Sequence, residues 1–521
     1  MLSVTIYEKW ERGIKVEYKN RIRNPRLLDR VVSAQEAASW IKNGMSIGFS
    51  GFTSSGDPKV VPVALAERAK NSGEPFKINV YTGASVGPAI DKVLAEAGIV
   101  GLRLPFQSDK TMRKEINNGN VEYLDTHLSD TADMLRNQII SVDIAVVEAL
   151  SITEEGYIVP TTSGGNSSIY VEMAKEVIVE LNTAQSIDLE GFHDVYNPGP
   201  HEGRTPIPIT AVDQRIGNPY IKVDPEKIKG IVITEQQDTA KTLVDPDEET
   251  KMIANHLINF LRKEVKVGKL PLPLPPLQSG VGSVANAVFY GFLDSEFEDL
   301  TLYSEVLQDA VIDCIDAGKI RFASGGAFTL SQAKMDHVFN HLENYRDKIV
   351  LRPQEISNNP EVARRLGLIT INTALEFDIY GNVNSTHVMG TNMMNGIGGS
   401  GDFTRSGRLT MFVTKSIAKH GKISSVVPFA SHIDHIEHDV DVLITEQGVA
   451  DLRGLTPKQR AHVIIENCAH PMYRSQLLEY FNEAMLRGGH TPHVLEKAFS
   501  WHTNFAKNGT MLEEKESKVK A

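Results

Sequence analysis

Cysteine is almost absent from this chain, which has 2 among its 521 residues, Cys314 and Cys468. Two cysteines cannot build a disulfide framework, and no Cys/His spacing typical of a zinc site accompanies them. No apolar run approaches the roughly 20 residues that a membrane helix needs. The first residues alternate charged and apolar side chains and lack the apolar core of a signal peptide. These absences predict a cytoplasmic protein with no membrane partner.

A surplus of positive charge is missing as well, since 66 Asp and Glu outweigh 54 Lys and Arg and give a net charge of −12. No basic stripe with interleaved aromatic residues stands out, so a nucleic-acid partner is not expected. An anionic ligand would therefore need a local pocket. The hydrophobic content of 41% is ordinary for a globular protein, and 521 residues exceed what one core supports, so two or three domains are expected.

The order strand, glycine turn, helix recurs along the chain. In the first half a strand over 45–49 enters the turn 51–56, and a helix over 60–68 follows. In the second half a strand leads into the turn 279–282 and a helix over 284–293. Further strand-like runs lie at 78–81, 144–148, 177–181, 231–234, 300–303, 348–351, 368–372, 409–413 and 442–446, with hairpins predicted over 152–159 and from 368–372 to Val383. Strands that alternate with helices predict an α/β fold of two open, mostly parallel α/β domains of similar build.

A loop rich in proline and glycine, 197–208, precedes the strand at 231–234, and we place the domain boundary near residue 230. The N-terminal α/β domain then covers 21–230 and the C-terminal one 231–512. An extension over 1–20 and a charged tail over 513–521 complete the chain. Within the second domain, Asp245 as cap and Pro246 as first residue predict the start of a helix that ends at Gly268.

The segment 274–309 holds the most informative pattern. Its glycine turn, 279–282, would leave backbone amides at the head of the next helix, which is the outline of an anion or oxyanion site. The run 300–303 then delivers Glu305 at the carboxyl end of a strand, where open parallel sheets bind their ligands. A carboxylate near amide donors suggests acyl chemistry. The alternative is a solvated glutamate or one that caps a helix.

A second glycine cluster has four glycines within six residues, at 396–401, between Met394 and Phe403. Such a loop leaves its amides exposed and suits close contact with an extended ligand or a developing oxyanion. A flexible loop without function is the alternative. The cluster is not a P-loop, because no GK[ST] follows, and it lacks the third glycine of a dinucleotide fingerprint.

Three histidines, His432, His435 and His438, recur at intervals of three and suggest a metal site. They alternate with Asp and Glu, which more often indicates ordinary hydrogen bonds, and no fourth ligand is apparent. We therefore expect a structural role and no metal. Cys314 falls on the inner face of a helix predicted over 306–316, so a packing role is expected for it.

Seven segments, taken in order, resemble one known family. They are LPPLQSGVGSVANAV, YSEVLQD, RPQEISNNPEVARRLG, DIYGNVNSTHVMG, MMNGIGGSGDF, ITEQGVADLRGL and TPHVLEKAFSWHTNF. Together they resemble the acetyl-CoA hydrolase/transferase family of class I coenzyme A transferases, from about Arg21 to about Met511. The resemblance implies that the active site lies between the two α/β domains and that the protein is a homodimer.

The resemblance also implies roles for particular residues. Glu305 of YSEVLQD matches the family nucleophile. The backbone N–H groups of Val281 and Gly399 match the oxyanion hole. Asn358 and Glu446 match polar residues of the active site.

Two further residues resemble those that bind coenzyme A. Lys419 in SIAKHGK is similar to the family lysine near the CoA phosphates, and Gly398 lies in the segment along the pantetheine arm. Gly399 and Val281 would contact the same CoA-bound substrate. The implied enzyme is an acyl-CoA:carboxylate CoA-transferase that takes short carboxylates, with succinyl-CoA and acetate as the expected pair and hydrolysis of acetyl-CoA as the alternative. Coenzyme A would be a substrate and a covalent intermediate, and no permanently bound cofactor is expected.

Overall fold

The structure is a computed structural model that describes residues 18–242 and 245–512. Most of the predicted N-terminal extension and the predicted tail lie outside the described residues. The described chain folds into two compact units. Unit 1 comprises the residues up to Thr242 together with Thr301–Asp309 and Arg321–Leu366, and unit 2 comprises the rest. The units are interleaved along the sequence, and the predicted boundary near residue 230 stays a prediction.

The described strands are short, and most follow apolar runs of the sequence. In chain order they are β1 (Ser46–Phe49), β2 (Ile78–Tyr81), β3 (Val100–Leu104), β4 (Glu122–Tyr123), β5 (Ile144–Ala149), β6 (Ser151–Ile152), β7 (Ile158–Val159), β8 (Glu176–Asn182), β9 (Ile228–Thr234), β10 (Leu277–Ser279), β11 (Leu300–Tyr303), β12 (Val306–Leu307), β13 (Ile320–Gly325), β14 (Ala327–Phe328), β15 (Ile349–Leu351), β16 (Ile369–Thr373), β17 (Glu376–Asp378), β18 (Val383–Asn384), β19 (His387–Val388), β20 (Asn392–Met393), β21 (Leu409–Val413), β22 (Ile417–Ala418), β23 (Ile423–Ser424), β24 (Val426–Val427), β25 (Val442–Thr445) and β26 (Gly448–Asp451).

The described α-helices alternate with these strands in most of the chain. In order they are α1 (Ala34–Trp40), α2 (Val61–Ser72), α3 (Asp91–Glu96), α4 (Lys110–Asn117), α5 (Asp130–Arg136), α6 (Ser167–Met173), α7 (Glu248–Lys266), α8 (Ser283–Leu293), α9 (Asp309–Asp316), α10 (Gln332–Phe339), α11 (Gln354–Ser357), α12 (Pro360–Leu366), α13 (Ser400–Thr404), α14 (Pro457–Cys468), α15 (Pro471–Arg487) and α16 (Ser500–Asn508).

A parallel sheet of seven strands organises unit 1, in the order β4-β3-β2-β1-β5-β8-β9. Alternate residues of β5 enter two separate hydrophobic cores. Ile144 and Val146 pack into one core, and Ala145 and Val147 pack into the other. Burial on both faces explains why this strand is apolar at consecutive positions instead of alternating with polar residues.

Unit 1 also contains β15, β13 and β11, which lie side by side in that order, and the short parallel pair β12 and β14. In unit 2, β10, β16, β21 and β25 are parallel neighbours, and β26 forms the edge antiparallel to β25. The core beside them joins Phe412 and Leu443 from two of these strands to residues of α14 and α15. The prediction of an α/β fold with mostly parallel sheets is confirmed.

Helix starts follow the positions of short polar residues. The Ser33 hydroxyl accepts a hydrogen bond from the Glu36 amide and begins α1. The predicted start of α7 at Pro246 is wrong. This helix begins at Glu248, because the Asp247 side chain accepts from the Thr250 amide and takes the capping position.

Two other predictions of local structure are wrong. The helix predicted over 306–316 begins only at Asp309, because β12 pairs with β14 before the chain turns into α9. The hairpin to Val383 does not start from β16, which lies inside the parallel sheet. Instead β17 forms that hairpin with β18. Cys314 is buried in α9, which confirms its packing role.

In the part of the chain that the structure describes, no helix combines the length and the apolar character that a bilayer crossing requires.

Candidate active site

Glu305 lies just beyond the carboxyl end of β11, in unit 1. The Ser304 amide donates to the Ser324 carbonyl of the neighbouring strand (2.9 Å), and the Gly326 amide donates to the Glu305 carbonyl (2.6 Å). A Cβ atom at Gly326 would lie 3.0 Å from that carbonyl oxygen, so this close approach favours glycine. The backbone of Glu305 is therefore fixed by its neighbours, and the residue is only 8% exposed.

Asn358 contacts the Glu305 carboxylate directly. Its side-chain Nδ2 donates a hydrogen bond to Glu305 Oε1 (2.9 Å), and the Ser357 hydroxyl donates to Asn358 Oδ1 (2.8 Å). The serine thus fixes which end of the amide faces the carboxylate. A hydrogen bond donated to a carboxylate favours its charged form, which is the form that attacks a carbonyl carbon. Two residues that are 53 positions apart in the sequence meet here.

The segment that carries Asn358 is anchored by a buried arginine. The Arg352 guanidinium pairs with Asp194, donates to Ser324 Oγ (2.9 Å) and donates to the Gln214 carbonyl (2.6 Å). Several charge-assisted hydrogen bonds from one fully buried group hold three parts of unit 1 together. This anchoring limits how far Asn358 can move from Glu305.

The first glycine turn of unit 2 follows β10. The Gly280 amide continues the ladder by donating to the Ile371 carbonyl (2.9 Å), after which the chain leaves the sheet and Val281 is 45% exposed. Gly282 has φ +125°, which only glycine adopts readily. Among the described residues the Val281 amide has no hydrogen-bond acceptor. It is therefore available to a ligand atom.

The second glycine loop precedes α13. Gly398 has φ +60° and Gly399 has φ −88°, so a residue with a left-handed backbone conformation is followed by one with a right-handed conformation. This alternation turns neighbouring amides toward one side and forms a concave site for an anion. In the described parts of the chain no acceptor is bonded to the Gly399 amide.

Asn372 of β16 connects the two glycine segments. Its Oδ1 accepts from Gln278 Nε2 of β10 (3.2 Å), and its Nδ2 donates a weak hydrogen bond to Thr404 Oγ1 of α13 (3.5 Å). Asn372 therefore joins the strand that precedes the first glycine turn to the helix that follows the second.

Glu446 follows β25 and is buried. Its carboxylate accepts from the Ser416 amide (2.8 Å), the Ser416 hydroxyl and Gln447 Nε2 (2.9 Å). Burial opposes ionisation, but these hydrogen bonds outweigh it and lower the pKa of Glu446 below its usual value. Glu446 is held as a charged group.

Lys419 lies in the turn between β22 and β23, beside an open cavity of about 530 Å³ that Lys415, His420 and Ser283 also line. Its ammonium group is 5.0 Å from the centre of the Phe505 ring. Both Lys419 (φ +48°) and His420 (φ +55°) are left-handed, which costs roughly 1 kcal/mol or more for a residue with a side chain. Such strain is common where a turn must present a side chain to a ligand.

Comparison with known proteins identifies the family. The N-terminal domain described as acetyl-CoA hydrolase/transferase matches residues 17–233, and the corresponding C-terminal domain matches residues 335–481. A succinyl-CoA:acetate CoA-transferase of Clostridium kluyveri is 53% identical over 495 residues, which cover 95% of this chain and 92% of that protein. The chain belongs to the acetyl-CoA hydrolase/transferase family. The prediction made from the seven segments is confirmed.

Other relatives within this family carry two kinds of name. A propanoyl-CoA:succinate CoA transferase of Escherichia coli is 44% identical and covers 92% of this chain and 98% of its own length. An acetyl-CoA hydrolase of Yarrowia lipolytica is 42% identical, with coverage of 95% and 98%. The transferases with 53% and 44% identity support the predicted enzyme class, a CoA-transferase, better than the hydrolase.

Solved structures agree on the fold. RipA from Yersinia pestis superposes with a TM-score of 0.68 at 20% identity, over 91% of this chain and 99% of its own. A 4-hydroxybutyrate CoA-transferase from Porphyromonas gingivalis gives 0.60 at 21% identity, with coverage of 87% and 98%. At these identities the likeness establishes the shared fold alone.

The site residues expected from the acetyl-CoA hydrolase/transferase family divide between the units. Glu305 and Asn358 belong to unit 1 and are in contact, while unit 2 carries the others, Val281, Gly398, Gly399, Lys419 and Glu446. Their roles stay predictions. Sequence reasoning missed Gly326, Ser357 and Arg352, which hold Glu305 and Asn358. Arg352 and Ser357 stand in a segment that resembles the family, and that was the available signal.

The three histidines of the segment 431–439 have separate partners. His432 lies 3.3 Å from Asp434 and its ring is 3.9 Å from that of His387. His435 Nε2 lies 3.1 Å from Ser400 Oγ. His438 is largely exposed. These contacts agree with a structural role, and the prediction that the segment binds no metal stays a prediction.

Proposed function

We propose that this protein transfers coenzyme A from succinyl-CoA to acetate through a thioester between CoA and Glu305. One observation carries the proposal most directly, namely a buried carboxylate that follows β11 and accepts a hydrogen bond from the oriented amide of Asn358. The relative from Clostridium kluyveri, which is 53% identical, supports the choice of donor and acceptor.

The first half-reaction would load CoA onto the enzyme. The Glu305 carboxylate attacks the thioester carbonyl carbon of succinyl-CoA, the C–S bond breaks, and a mixed anhydride and the CoA thiolate result. The thiolate then attacks the glutamyl carbonyl carbon, and the anhydride C–O bond breaks to release succinate. The enzyme now holds CoA as a glutamyl thioester, and no proton, oxidant or cofactor is consumed.

The second half-reaction would run the same steps with acetate. An acetate oxygen attacks the glutamyl carbonyl carbon and expels the CoA thiolate, which gives a glutamyl-acetyl anhydride. The thiolate attacks the acetyl carbonyl carbon, so acetyl-CoA leaves and Glu305 regains its carboxylate. Each step forms a tetrahedral oxyanion, and removal of one preorganised donor to such an oxyanion typically costs roughly a hundredfold or more in rate.

The amides of Val281 and Gly399 suit the role of oxyanion donors, because neither is bonded to an acceptor in the described chain. Backbone amides are fixed by the fold and need no reorganisation during the reaction. Lys419, beside the cavity of unit 2, would bind the CoA phosphates, and Gly398 would leave room for the pantetheine arm. Glu446, held as an anion, would position a polar group of the substrate.

A matrix of initial rates tests the proposal. Succinyl-CoA, acetyl-CoA, propionyl-CoA and butyryl-CoA are each combined with acetate, propionate, succinate or no acceptor, and thioester loss is followed together with acyl-CoA formation. We expect succinyl-CoA with acetate to give the highest kcat/KM, and transfer to exceed hydrolysis at least about tenfold. Glu305→Gln is the matched control and should lose both activities.

Acetyl-CoA hydrolysis is the rival outcome, favoured by relatives such as the Yarrowia lipolytica protein. In that reaction water attacks the same glutamyl thioester. Thioester loss that is independent of any carboxylate would therefore replace the transferase proposal with a hydrolase. A different preferred pair would leave the mechanism in place and change only the substrates.

We also propose that the protein is a cytoplasmic homodimer with no permanently bound cofactor, no nucleic-acid partner and no membrane partner. Both cysteines are buried thiols, and burial raises the pKa of each to about 12, which suits a reducing compartment. The net charge of −12 disfavours nucleic acid. Light scattering on the eluting protein tests the dimer, and a mass near 57.5 kDa, that of one chain, would contradict it.

A further inference from the structure

The histidine motif of the segment 431–439 has no part in the chemistry above, yet one of its members reaches the glycine loop. We use the name glycine loop for residues 395–400, which include the proposed oxyanion donor Gly399. His435 Nε2 lies 3.1 Å from Ser400 Oγ, at the carboxyl end of this loop. Ser400 is also the first residue of α13. A buried histidine therefore contacts the residue next to the proposed donor.

The direction of this hydrogen bond follows from the proton of Ser400. The Ser400 hydroxyl donates to the Ile397 carbonyl (2.8 Å), so its single proton is already used. Ser400 Oγ then accepts from His435 when Nε2 carries the proton. The same Nε2 lies 3.5 Å from Ser385 Oγ, whose hydroxyl donates to Asp434. The chain Nε2–H to Oγ, then Oγ–H to the Ile397 carbonyl, closes the turn that contains Gly398 and Gly399.

His435 is itself held firmly. It pairs with Val383, since the Val383 amide donates to the His435 carbonyl (2.8 Å) and the His435 amide donates to the Val383 carbonyl (3.1 Å). Its ring centre is 4.8 Å from the ring centre of Phe412 on β21, and the residue is buried. A fixed ring can impose its geometry on Ser400.

The neighbouring residue of the motif, Asp434, supports the other end of the loop. Asp434 Oδ2 accepts from the Ser385 amide (2.6 Å), and Oδ1 accepts from the Thr386 hydroxyl (2.9 Å). The backbone carbonyls of Ser385 and Thr386 in turn accept hydrogen bonds from the residues at the start of the glycine loop. Asn395 Nδ2 donates to the Ser385 carbonyl (3.3 Å), and the Met394 amide donates to the Thr386 carbonyl (2.8 Å).

We propose that His435 is a positioning residue that sets the direction of the Gly399 amide through Ser400, with Asp434 fixing the opposite end of the glycine loop. The proposal rests on the proposed function, because it assigns a purpose to the loop only if Gly399 stabilises an oxyanion. A loop with several glycines gains little rigidity from its own backbone. Side-chain contacts at its two ends therefore decide where its amides point.

A misdirected donor affects the transition state more than substrate binding. The oxyanion forms only as the carbonyl carbon becomes tetrahedral, so loss of alignment lowers kcat and leaves KM for the acyl-CoA nearly unchanged. A purely structural defect would instead reduce the amount of folded protein. These two outcomes can be separated.

Two substitutions at His435 and one control test the proposal. His435→Phe keeps a ring against Phe412 and removes the N–H donor. His435→Gln places an amide N–H near the position of Nε2. The control, His438→Gln, changes an exposed histidine of the same motif.

We expect His435→Phe to lower kcat roughly tenfold to thirtyfold with KM for succinyl-CoA within about threefold of the original value. His435→Gln should regain at least about a third of the lost kcat, and His438→Gln should behave as the unchanged protein. Ser400→Ala removes the same contact from the other side. Combined with His435→Phe, it should give clearly less than the sum of the two losses, because both changes break the hydrogen bond between His435 and Ser400. Ser400→Ala also removes the bond to the Ile397 carbonyl, so a small further loss is expected.

An unchanged kcat in folded His435→Phe, or additive losses in the double variant, would overturn the proposal. If His435→Phe does not fold, Ser400→Ala carries the same test with the same expected fall in kcat. The rate at which CoA becomes attached to Glu305 in a single turnover distinguishes a failure of the proposed function from a failure of the positioning role. No attachment in the unchanged protein defeats the proposed function, whereas attachment at equal rates in the unchanged protein and His435→Phe defeats only the positioning role.

Discussion

Two glycine turns follow the same local pattern of strand, turn and helix, yet they differ in what surrounds them. The turn after β1, over 51–56, is buried, and the Phe52 amide donates to the Ser55 carbonyl (2.9 Å) while the Ser55 amide returns a bond to Phe52 (3.1 Å). The turn after β10 presents Val281 with 45% of its surface exposed. The turn over 51–56 is packed against other parts of the protein, whereas the turn with Val281 is open to a ligand.

The space around the glycines makes the same distinction. A Cβ atom at Gly51 would lie 2.6 Å from Asp57 Cβ, whereas one at Gly280 would meet its nearest neighbour, Asn372 Oδ1, at 3.8 Å. The first turn needs glycine for packing and for its left-handed φ of +113°. In the second turn Gly282 needs glycine for its φ of +125°, but Gly280 has no such packing need, which suggests that Gly280 leaves room for a substrate. The comparison predicts that changes in the first turn reduce stability and changes in the second reduce activity.

The largest effect is expected from Gly51→Ala. The added methyl group meets Asp57 and the left-handed backbone is strained, so the free energy of unfolding should fall by roughly 3 to 5 kcal/mol. Denaturant unfolding measures this loss. Gly119→Ala is the matched control, because Gly119 also has a positive φ but has open space around it, and it should cost only about 1 kcal/mol. Equal losses in the two variants would contradict the packing argument.

The carboxyl group of Asp57, which packs against the first turn, should make stability depend on pH. Burial raises its pKa from 3.8 to about 6, although the Lys59 ammonium pulls it down. Between these two pKa values the folded state holds a proton that the unfolded state has released. The stability that this proton contributes is therefore lost as the pH rises from about 4 to 6. Over that range it is worth roughly 3 kcal/mol at most. Asp57→Asn should remove this dependence of the free energy of unfolding on pH. The same pH dependence in the variant would show that another group causes it.

Asn358→Ala should affect the reaction rather than the fold. Loss of the hydrogen bond to Glu305 should lower kcat roughly 30-fold, or about 2 kcal/mol of barrier. The adjacent residue provides the control, since Asn359 Oδ1 accepts from the Glu361 amide (3.0 Å) at the start of α12. Asn359→Ala should lose about 1 kcal/mol of stability and keep kcat. The account fails here if steady-state kinetics show the two variants to be equally active.

Gly280→Ala is expected to have the smallest effect of this series, and on binding alone. Its methyl group fits the free protein but occupies space beside the Val281 amide, so KM for the acyl-CoA should rise about tenfold while stability changes by less than about 1 kcal/mol. Gly101→Ala, at an ordinary φ with a nearest neighbour at 3.4 Å, should leave KM unchanged. An unchanged KM in Gly280→Ala would mean that the open turn is not a substrate site.

Much of the fold could be predicted from the sequence because buried parallel strands read as apolar runs. The predicted bounds of β2, β11 and β21 agree with the structure. Errors arose where two nearby residues compete for one role, as Asp245 and Asp247 do for the cap of α7, and where short strands such as β12 pair outside the main sheets. Such outcomes depend on tertiary contacts that a local pattern does not contain.

The candidate site was less accessible to pattern reasoning. Glycine spacing indicated the turn with Val281 and the loop with Gly399, but it also indicated the packed turn at 51–56 in equal measure. The contact between Glu305 and Asn358 joins residues that are far apart in the sequence, and only the resemblance to the family pointed to both. Ser357, which orients Asn358, had no signal beyond its place in the segment RPQEISNNPEVARRLG, because a serine at a helix end is common.

The central claim is that Glu305 carries CoA covalently during the reaction. The protein is incubated with succinyl-CoA in the absence of acceptor, and its intact mass is measured before and after treatment with hydroxylamine. The account predicts an increase by one CoA less one water, removed by hydroxylamine, mapped to Glu305 by peptide sequencing and absent in Glu305→Ala. Active protein that forms no adduct, or an adduct on another residue, would contradict it.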